Sequence, residues 1–197
     1  MIAHELALGE EVTGFVAAHV HPEVPWGSVS AEPGPVNASC DYLHIIVEGA
    51  GGHGAYPHRA RDPILALSHI IVALQALVSR RLDPTQSGVL SVGWTRAGSA
   101  ENVIPERAEA GGTLRALNPE DREALREAAR EIIETTARAH GCAASVAITE
   151  GEPATVNDAA IASAVHALAP RPASSWLHPC VPAAPTISAF TGVWHRP

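Results

Sequence analysis

The glycine-rich stretch at residues 49–58 holds a histidine that is well placed for chemistry. Its sequence, Gly-Ala-Gly-Gly-His-Gly-Ala-Tyr-Pro-His, surrounds His53 with glycines. Glycine admits positive φ and lets a ligand come close to the backbone, so His53 would project from a bare turn. Because the chain has 11 histidines, a metal or acid–base site is worth seeking. The alternative is an ordinary flexible turn that exposes a histidine, and this stretch alone favours neither interpretation.

Two further histidines lie at the end of a predicted strand. The strand covers residues 14–20, which are mostly small or apolar, and it ends where Pro22 follows His21. Side chains alternate with period two along a strand, so His19 and His21 fall on one face. Two imidazoles at this spacing could share a metal ion, but such pairs are common and usually supply one ligand or none.

Length and charge exclude several classes of function. A chain of 197 residues is long enough for one well-buried domain, or for one domain with pieces of another. The formal net charge of -8 argues against a nucleic-acid partner, because binding to a polyanion needs a basic surface. No apolar run approaches the roughly 20 residues of a membrane span and no signal-peptide pattern opens the chain. We therefore expect a cytoplasmic protein without a membrane partner.

The three cysteines do not suggest a metal knuckle or a redox pair. Cys40, Cys142 and Cys180 are odd in number and far apart in the sequence. Buried or idle thiols are therefore expected rather than disulfides.

Residues 38–150 carry a regular alternation of strand and helix signals. Strands are predicted at residues 42–47, 89–95, 109–117 and 144–148. One helix follows the first strand and begins at Asp62 as N-cap with Pro63 in its first turn, and a second helix follows the third strand and begins with Asn118 and Pro119. The order is therefore β-α-β-β-α-β.

The pattern also predicts which side chains share a face. The first helix is expected to present a single apolar stripe, made of Ile64, Leu67, Ile71, Leu74 and Val78. The second strand is expected to place Leu90, Val92 and Trp94 on one face.

This order of elements predicts an α+β, ferredoxin-like domain. Two helices would cover one face of a four-stranded antiparallel sheet, and the other face would stay uncovered. An uncovered sheet face or a long apolar helix flank is a natural dimerisation surface.

The flanks of this domain look different. Residues 1–37 combine the predicted strand with an extended connection rich in proline and glycine, and residues 151–168 end in one short helical pattern. Residues 169–197 show no periodicity and scatter several prolines, so this segment is predicted to be disordered or not to be the natural continuation of the gene.

The motifs of the chain, taken in order, are similar to those of one enzyme family. They are His19-Val20, Gly51-Gly-His-Gly-Ala-Tyr-Pro-His58, Asp62-Pro63, Val78-Ser-Arg80, Asp83-Pro84, Asn102-Val-Ile-Pro105, Gly112-Thr-Leu-Arg115 and Thr155-Val-Asn-Asp158. This pattern resembles the metal-dependent aminoacylase and carboxypeptidase family. More narrowly, it is similar to the amidohydrolase branch that includes hippurate hydrolases and indole-acetyl-amino-acid hydrolases. The resemblance runs from about residue 1 to about residue 168.

The resemblance implies a domain organisation. Members of the family have a dinuclear metal domain, of the α/β metallohydrolase type, with an inserted ferredoxin-like lid that mediates dimerisation. Residues 38–150 would be that lid. Residues 1–37 and 151–168 would be fragments of the catalytic domain on either side of it, and residues 169–197 stay unassigned.

The resemblance also implies roles for four residues. His19 matches a metal-binding histidine on the last catalytic-domain strand before the lid. His53 matches a lid histidine that reaches the active site of a partner subunit and stabilises the oxyanion. Asn102 and Arg115 match lid positions that hold the substrate, and a guanidinium suits a terminal carboxylate.

Several parts of the family pattern are missing from this sequence. The aspartate, the Gly-Cys-Gly-His metal motif and the Glu-Glu pair that supplies the general base would all lie before Met1. The intact enzyme would use zinc, manganese or cobalt on N-acyl amino acids or similar amides, whereas this chain, with His19 alone, is expected to bind no metal stably and to be inactive by itself.

Two functions are therefore open. The chain is either the lid-bearing part of a homodimeric amidohydrolase or a non-catalytic dimerisation or small-ligand-binding module. Metal ligands encoded in the flanking reading frames would favour the first, and their absence would favour the second.

Overall fold

The chain contains two compact units. A computed structural model describes residues 15–20, 24, 28–168 and 187–192. One unit, here called the lid, is Ala38–Ala154, and the other, here called the flanking unit, combines Met1–Asn37 with Thr155–Pro197.

The described residues form strands and helices with the following bounds. The strands are β1 (Phe15–Val20), β2 (Val29–Ser30), β3 (Gly34–Asn37), β4 (Asp41–Glu48), β5 (Gly52–His53), β6 (Gly88–Ala97), β7 (Val103–Ile104), β8 (Arg107–Ala116), β9 (Ala143–Thr149), β10 (Thr155–Asn157) and β11 (Ile187–Gly192). The α-helices are α1 (Pro63–Ala76), α2 (Pro119–Ala139) and α3 (Ala159–Leu168). A 3₁₀ turn covers Pro57–Arg59, and a π-helical turn, Leu77–Arg81, continues α1.

The lid has the predicted ferredoxin-like fold. Its main sheet has the order β6-β8-β4-β9, and every neighbouring pair is antiparallel. The inward side chains of β4 and β8 pack with α1 and α2 in one core. The prediction of a four-stranded antiparallel sheet with two helices is therefore confirmed.

Local signals set both helix starts. The carboxylate of Asp62 accepts hydrogen bonds from the backbone N–H groups of Ile64, at 2.8 Å, and Leu65, at 3.2 Å. The side-chain oxygen of Asn118 accepts from Asp121 N at 2.7 Å. Each cap satisfies backbone donors that the first helical turn leaves unpaired, and a proline follows each cap because its missing N–H costs nothing there.

The predicted stripe on α1 is partly wrong. Helix α1 buries Leu67 and Leu74 as predicted, but it also buries Ala66 and Ile70, while Ile64 is exposed. The reason is that α1 is apolar apart from Ser68, His69 and Gln75, so periodicity identifies its inward face poorly. By length and composition alone, the helical stretch Pro63–Arg81 would even be able to cross a membrane. In this fold it is a core helix with an additional apolar surface that faces outward.

The predicted face of the second strand is also partly wrong. Leu90 and Val92 pack against the core, but the register between β6 and β8 shifts between Val92 and Trp94. A β-bulge at this point moves the next side chain to the opposite side of the sheet. Trp94 therefore lies on the uncovered face.

The flanking unit contains two small sheets. Strand β1 pairs antiparallel with β11, which pairs parallel with β2, and β10 pairs antiparallel with β3. Strand β11 lies within residues 169–197, the segment that was predicted to be disordered or not to be the natural continuation of the gene. Its partners lie near the other end of the chain, so no local periodicity could reveal it. Residues 169–186 and 193–197 lie outside the described residues.

A buried carboxylate ties the base of the lid together. Asp41, at the start of β4, is fully buried and accepts hydrogen bonds from Arg122 at 2.9 Å and from Arg126 at 2.8 and 2.9 Å, both on α2. The backbone N–H of Gly151 donates to the same carboxylate at 3.2 Å. Next to it, Cys40 N donates to Glu152 O at 3.0 Å. These contacts hold the chain segments that enter and leave the lid side by side.

The pKa of Asp41 reflects this environment. Burial alone would raise the pKa, but the hydrogen bonds from Arg122, Arg126 and Gly151 N outweigh burial and hold the pKa far below its ordinary value. A carboxyl with a lowered folded-state pKa stabilises the fold above its unfolded pKa of about 3.9. That contribution is lost as the pH falls below this value.

We predict that Asp41→Asn lowers the free energy of unfolding of the lid by about 3–5 kcal/mol at pH 7, because it leaves two guanidinium groups without their buried charge partner. Hydrogen exchange of the β4 and β8 amides measures this loss. The difference from the unmodified chain should shrink as the pH falls below about 4.

A matched control is Glu131→Gln, which breaks the exposed pair with Arg81 at 2.9 Å. This control should cost at most about 1 kcal/mol. Equal losses of unfolding free energy in the two variants would show that the buried contacts of Asp41 stabilise the lid no more than an exposed ion pair does.

Candidate functional site

The predicted catalytic turn is held against the loop that carries Asn102. Strand β5 pairs antiparallel with β7, with His53 opposite Val103. Gly54 N donates to the backbone oxygen of Asn102 at 2.8 Å. The structure therefore brings two of the predicted site residues, His53 and Asn102, into one place.

A backbone hydrogen bond fixes the chemical role of the His53 ring. Ala55 N donates to Nδ1 of His53 at 3.0 Å. A backbone N–H can only donate, so Nδ1 must be the acceptor, and the neutral imidazole carries its hydrogen on Nε2. His53 is exposed. It can therefore offer an N–H donor to a ligand without first becoming charged.

The glycines of the turn are needed for space and not for positive φ. Among the described residues, glycines with positive φ are Gly34, Gly98 and Gly141, all outside the turn. A Cβ on Gly51 would lie 2.9 Å from Ile104 O, and one on Gly54 would lie 3.1 Å from Asn102 O. The expectation of positive φ at the turn was wrong. Close approach of two backbones is the physical reason for these glycines.

A surface cavity of about 480 Å³ lies beside this pair of residues. Its lining consists of Gly51, Gly52, His53, Asn102, Val103, Ile104, Pro105 and Glu106. Backbone groups and apolar side chains form most of this wall, and His53, Asn102 and Glu106 supply its polar side chains. A cavity of this composition suits a small ligand with a few polar groups.

The predicted metal ligand His19 lies in the other unit. It is on β1 of the flanking unit, is exposed, and its Nδ1 lies 2.6 Å from Val20 O. His21 lies outside the described residues. Within the part of the chain that the structure describes, no group of three or more His, Cys, Asp or Glu residues could hold a metal ion. These residues therefore do not fit a dinuclear metal pair, and the role of His19 stays a prediction.

The third lid residue, Arg115, is not brought to the same place. It is exposed on β8 and pairs with Val89, whereas the opposite end of β8, at Arg107, follows the loop that carries Asn102. At about 3.3 Å per residue, Arg107 and Arg115 are roughly 26 Å apart. Arg115 therefore lies far along β8 from the end that the loop of Asn102 leads into.

The uncovered face of the sheet carries a polar and aromatic cluster that was not predicted from the sequence. The indole of Trp94 lies over Gly111, where a Cβ would overlap it. The ring of His44 is 5.7 Å from the Trp94 ring, and its Nε2 is 3.0 Å from Glu109. The hydrogen bond from His44, followed by that from Arg107, lowers the pKa of Glu109. The only local hint was the glycine before Trp94, because glycine within a strand often marks a bulge.

The free thiols agree with expectation where they are described. Cys40 and Cys142 are both free and buried. Burial raises the pKa of Cys142, which makes it less reactive. Cys180 lies outside the described residues.

Comparison with known proteins identifies a family match that lies within the lid. Residues 40–141 match the family described as the peptidase dimerisation domain of M20 enzymes. The chain belongs to this M20 dimerisation-domain family. The match covers about half of the chain and nearly all of the lid, and it confirms the resemblance drawn from the motifs.

Relatives of this M20 domain are amide-hydrolysing enzymes. N-acetyldiaminopimelate deacetylase of Bacillus pumilus is 38% identical over 132 residues, which are 67% of this chain and 35% of the relative. IAA-amino acid hydrolase ILR1-like 4 of Arabidopsis thaliana is 38% identical over 161 residues, which are 80% of this chain and 37% of the relative.

A solved structure supports the same family. The YXEP protein of Bacillus subtilis, described as a dinuclear metal binding peptidase from the M20 family, superposes with a TM-score of 0.59 at 30% identity. The superposition covers 77% of this chain and 36% of that protein. The chain thus spans less than half of the length of these proteins.

We predict that Gly51→Ala disrupts the turn around His53 and costs about 1–3 kcal/mol, because its Cβ would press on a backbone oxygen that cannot move freely. Gly52→Ala is the matched control, since its Cβ would meet only Ala60 Cβ, at 3.4 Å. The imidazole NMR signals of His53 and the amide signals of β5 and β7 report on the change. If both variants leave these signals alike, close packing is not what the turn requires.

Proposed function

We propose that this chain is the lid and dimerisation part of a metal-dependent amidohydrolase that acts on N-acyl amino acids or similar amides. The observation that carries the proposal is the His53 turn, in which an M20 lid presents an Nε2–H donor beside Asn102. The names of the relatives support the substrate class, because they act on N-acetyl and indole-acetyl amino acids.

The lid residues would bind and orient the substrate. Nε2–H of His53 would donate to the carbonyl oxygen that gains negative charge when the amide is attacked, and such a donor is most effective when it is fixed in place beforehand. Asn102 would hold the substrate beside it. The planar guanidinium of Arg115 would bind a terminal carboxylate by donating paired hydrogen bonds to its oxygens.

Divalent metal ions, such as zinc, manganese or cobalt, would polarise the amide carbonyl and activate water in the intact enzyme. His19 would supply one ligand, and the remaining ligands would come from residues that this sequence does not contain. For this reason we propose that the chain alone binds no metal stably and hydrolyses no amide.

The distance between His53 and Arg115 supports action across a dimer. Arg115 lies near one end of β8, and the loop of Asn102, beside His53, leads into the other end, roughly 26 Å away along the strand. If both residues contact one substrate, they would therefore come from different subunits. Each active site would then receive His53 and Asn102 from one lid and Arg115 from the other.

The surface of α1 is the proposed dimer interface. Leu65 is 50% exposed and Val72 is 72% exposed on the outward side of this helix. Strand β6 lies at the edge of the sheet next to it, and an edge strand offers unpaired backbone groups to a partner. An apolar helix surface beside an open edge is suited to pairing with a second copy.

The alternative is a dimerisation or small-ligand-binding module without chemistry. It is favoured by the lack of a three-ligand metal group among the described residues. The two functions can be distinguished by the activity of an intact enzyme that carries this lid. That activity should depend on His53 if the lid takes part in catalysis, and should not depend on it if the lid is a non-catalytic module.

We predict that the purified chain is a dimer in light scattering and shows no hydrolysis of N-acetyl amino acids with zinc, manganese or cobalt. Val72→Glu should make it monomeric, because a charge would replace an apolar contact. Leu168→Glu, at a side chain that is 84% exposed on α3, is the matched control and should leave the dimer intact. A monomeric unmodified chain, or clear metal-dependent turnover, would contradict the proposal.

We predict that His53→Ala in an intact relative that carries this lid lowers kcat by about 10²–10³, because one oxyanion donor is worth roughly 2.7–4 kcal/mol. Metal content should not change. His44→Ala, which changes an exposed histidine on β4, serves as the control and should leave kcat within a few fold.

Mixed dimers test whether His53 acts across the interface. The His53→Ala variant is combined with a second inactive variant of that relative, which lacks the glutamate base. If His53 acts across the interface, both defects fall in the same active site of a mixed dimer. The other site is then intact, and part of the activity returns. If mixed dimers form but remain as inactive as their parents, His53 does not act in trans.

A further inference from the structure

Tyr56 follows His53 on the glycine-rich turn and is unusually exposed for an aromatic residue. Its exposed fraction is 52%, so its ring contributes little to the lid core. The ring centroid of Tyr56 lies 5.5 Å from that of His53, with the planes tilted by 60°. Tilted contacts at this distance are favourable between aromatic rings. The large exposed side chain therefore lies against the residue proposed to act in catalysis.

The backbone fixes where the Tyr56 ring can be. Tyr56 N donates to His53 O at 2.8 Å, and Arg59 N donates to Tyr56 O at 3.0 Å. Pro57 follows directly, and a proline restricts the conformation of the residue before it. The backbone to which the Tyr56 ring is attached is therefore held in place by the turn.

A cation adds to this restraint. The guanidinium carbon of Arg59 lies 5.5 Å from the centre of the Tyr56 ring, within the range of a cation–π contact. The ring of His58 also lies nearby, with its centroid at 6.2 Å in an edge-to-face arrangement. Tyr56 is therefore held by its neighbours on the turn while it contacts His53.

The His53 ring needs such a restraint. Ala55 N fixes only one ring atom, at Nδ1. A single hydrogen bond on an exposed turn leaves other side-chain rotamers accessible, and the freedom to visit them is lost when the ring must bind a ligand in one orientation. A functional side chain must hold its geometry to within about 0.5 Å and 10–20° to be effective.

We propose that Tyr56 is a positioning residue that holds the imidazole of His53 in the orientation set by Ala55 N, with Nε2–H directed outward. The ring of Tyr56 performs this role through its shape, and Arg59 supports the ring. The inference rests on the proposed function for its catalytic meaning, but the restraint on the His53 ring can be measured without any activity.

The first experiment uses the 197-residue chain itself. Three-bond couplings that report χ1 of His53, and ¹³C relaxation of its imidazole carbons, are compared among the unmodified chain, Tyr56→Ala and Tyr56→Phe. Tyr56→Ala should average the couplings over several rotamers and reduce the order parameter below about 0.6. Tyr56→Phe keeps the ring and should match the unmodified chain. An unchanged His53 ring in Tyr56→Ala overturns the proposal.

Two controls separate positioning from damage to the fold. Tyr42→Ala removes a tyrosine ring of the same exposure, 52%, on β4 and should leave the His53 order parameter nearly unchanged. The melting temperature of Tyr56→Ala should stay within a few degrees, because substitutions of exposed side chains usually have small effects on stability. A structural role would appear as a large drop in the melting temperature of Tyr56→Ala, with neither the melting temperature nor the His53 order parameter restored in Tyr56→Phe. That result would overturn the proposal.

The second experiment uses an intact relative that carries this lid. Tyr56→Ala should lower kcat about tenfold, because misplacement of a catalytic donor slows the reaction, with KM little changed and with recovery in Tyr56→Phe. Combined with His53→Ala, it should cause no further loss, because the two residues act as one unit. If the His53 ring loosens but kcat stays the same, positioning stands and the catalytic role of His53 fails.

Discussion

The buried carboxylate of Asp41 is the interaction on which the lid depends. It joins the first strand of the sheet to two turns of α2, and its partner Arg122 lies 81 residues away in the sequence. A buried charge without its partners is strongly unfavourable, so this contact favours the docking of α2 in which Arg122 and Arg126 reach Asp41. With α2 fixed, β8 and α1 have a defined core to pack against. The loop of Asn102 and the turn of His53 are then brought together at the far end of β8.

The features that could be predicted from the sequence are those with local causes. The caps at Asp62 and Asn118 act within one helical turn, and the strands of the lid alternate clearly. Features with distant causes could not be predicted in this way. Helix α1 is apolar over most of its surface, so its inward face depends on what it packs against. The bulge before Trp94 depends on pairing with β8, and β11 pairs with a strand near the other end of the chain.

In the candidate site, too, some features have local causes and could be predicted, whereas others depend on the folded structure. The type of residue at position 53 and the glycines around it marked the turn, although the physical reason is close backbone packing and not positive φ. The tautomer of His53 depends on Ala55 N, two residues away, and is a property of the folded turn. Arg115 is separated from Asn102 because Arg115 lies near the far end of β8, whereas Asn102 lies in the loop before β7.

The contact between Cys40 and Glu152 has a consequence for how such a domain can be moved between proteins. Because the two ends of the lid lie next to each other, joined by this backbone hydrogen bond and by Asp41 to Gly151, the domain closes on itself. Domains with adjacent termini are well tolerated as insertions and as circular permutants. The lid is thus a portable module: it can interrupt a surface loop of a host protein while separating the two cut ends by little more than the spacing of neighbouring strands.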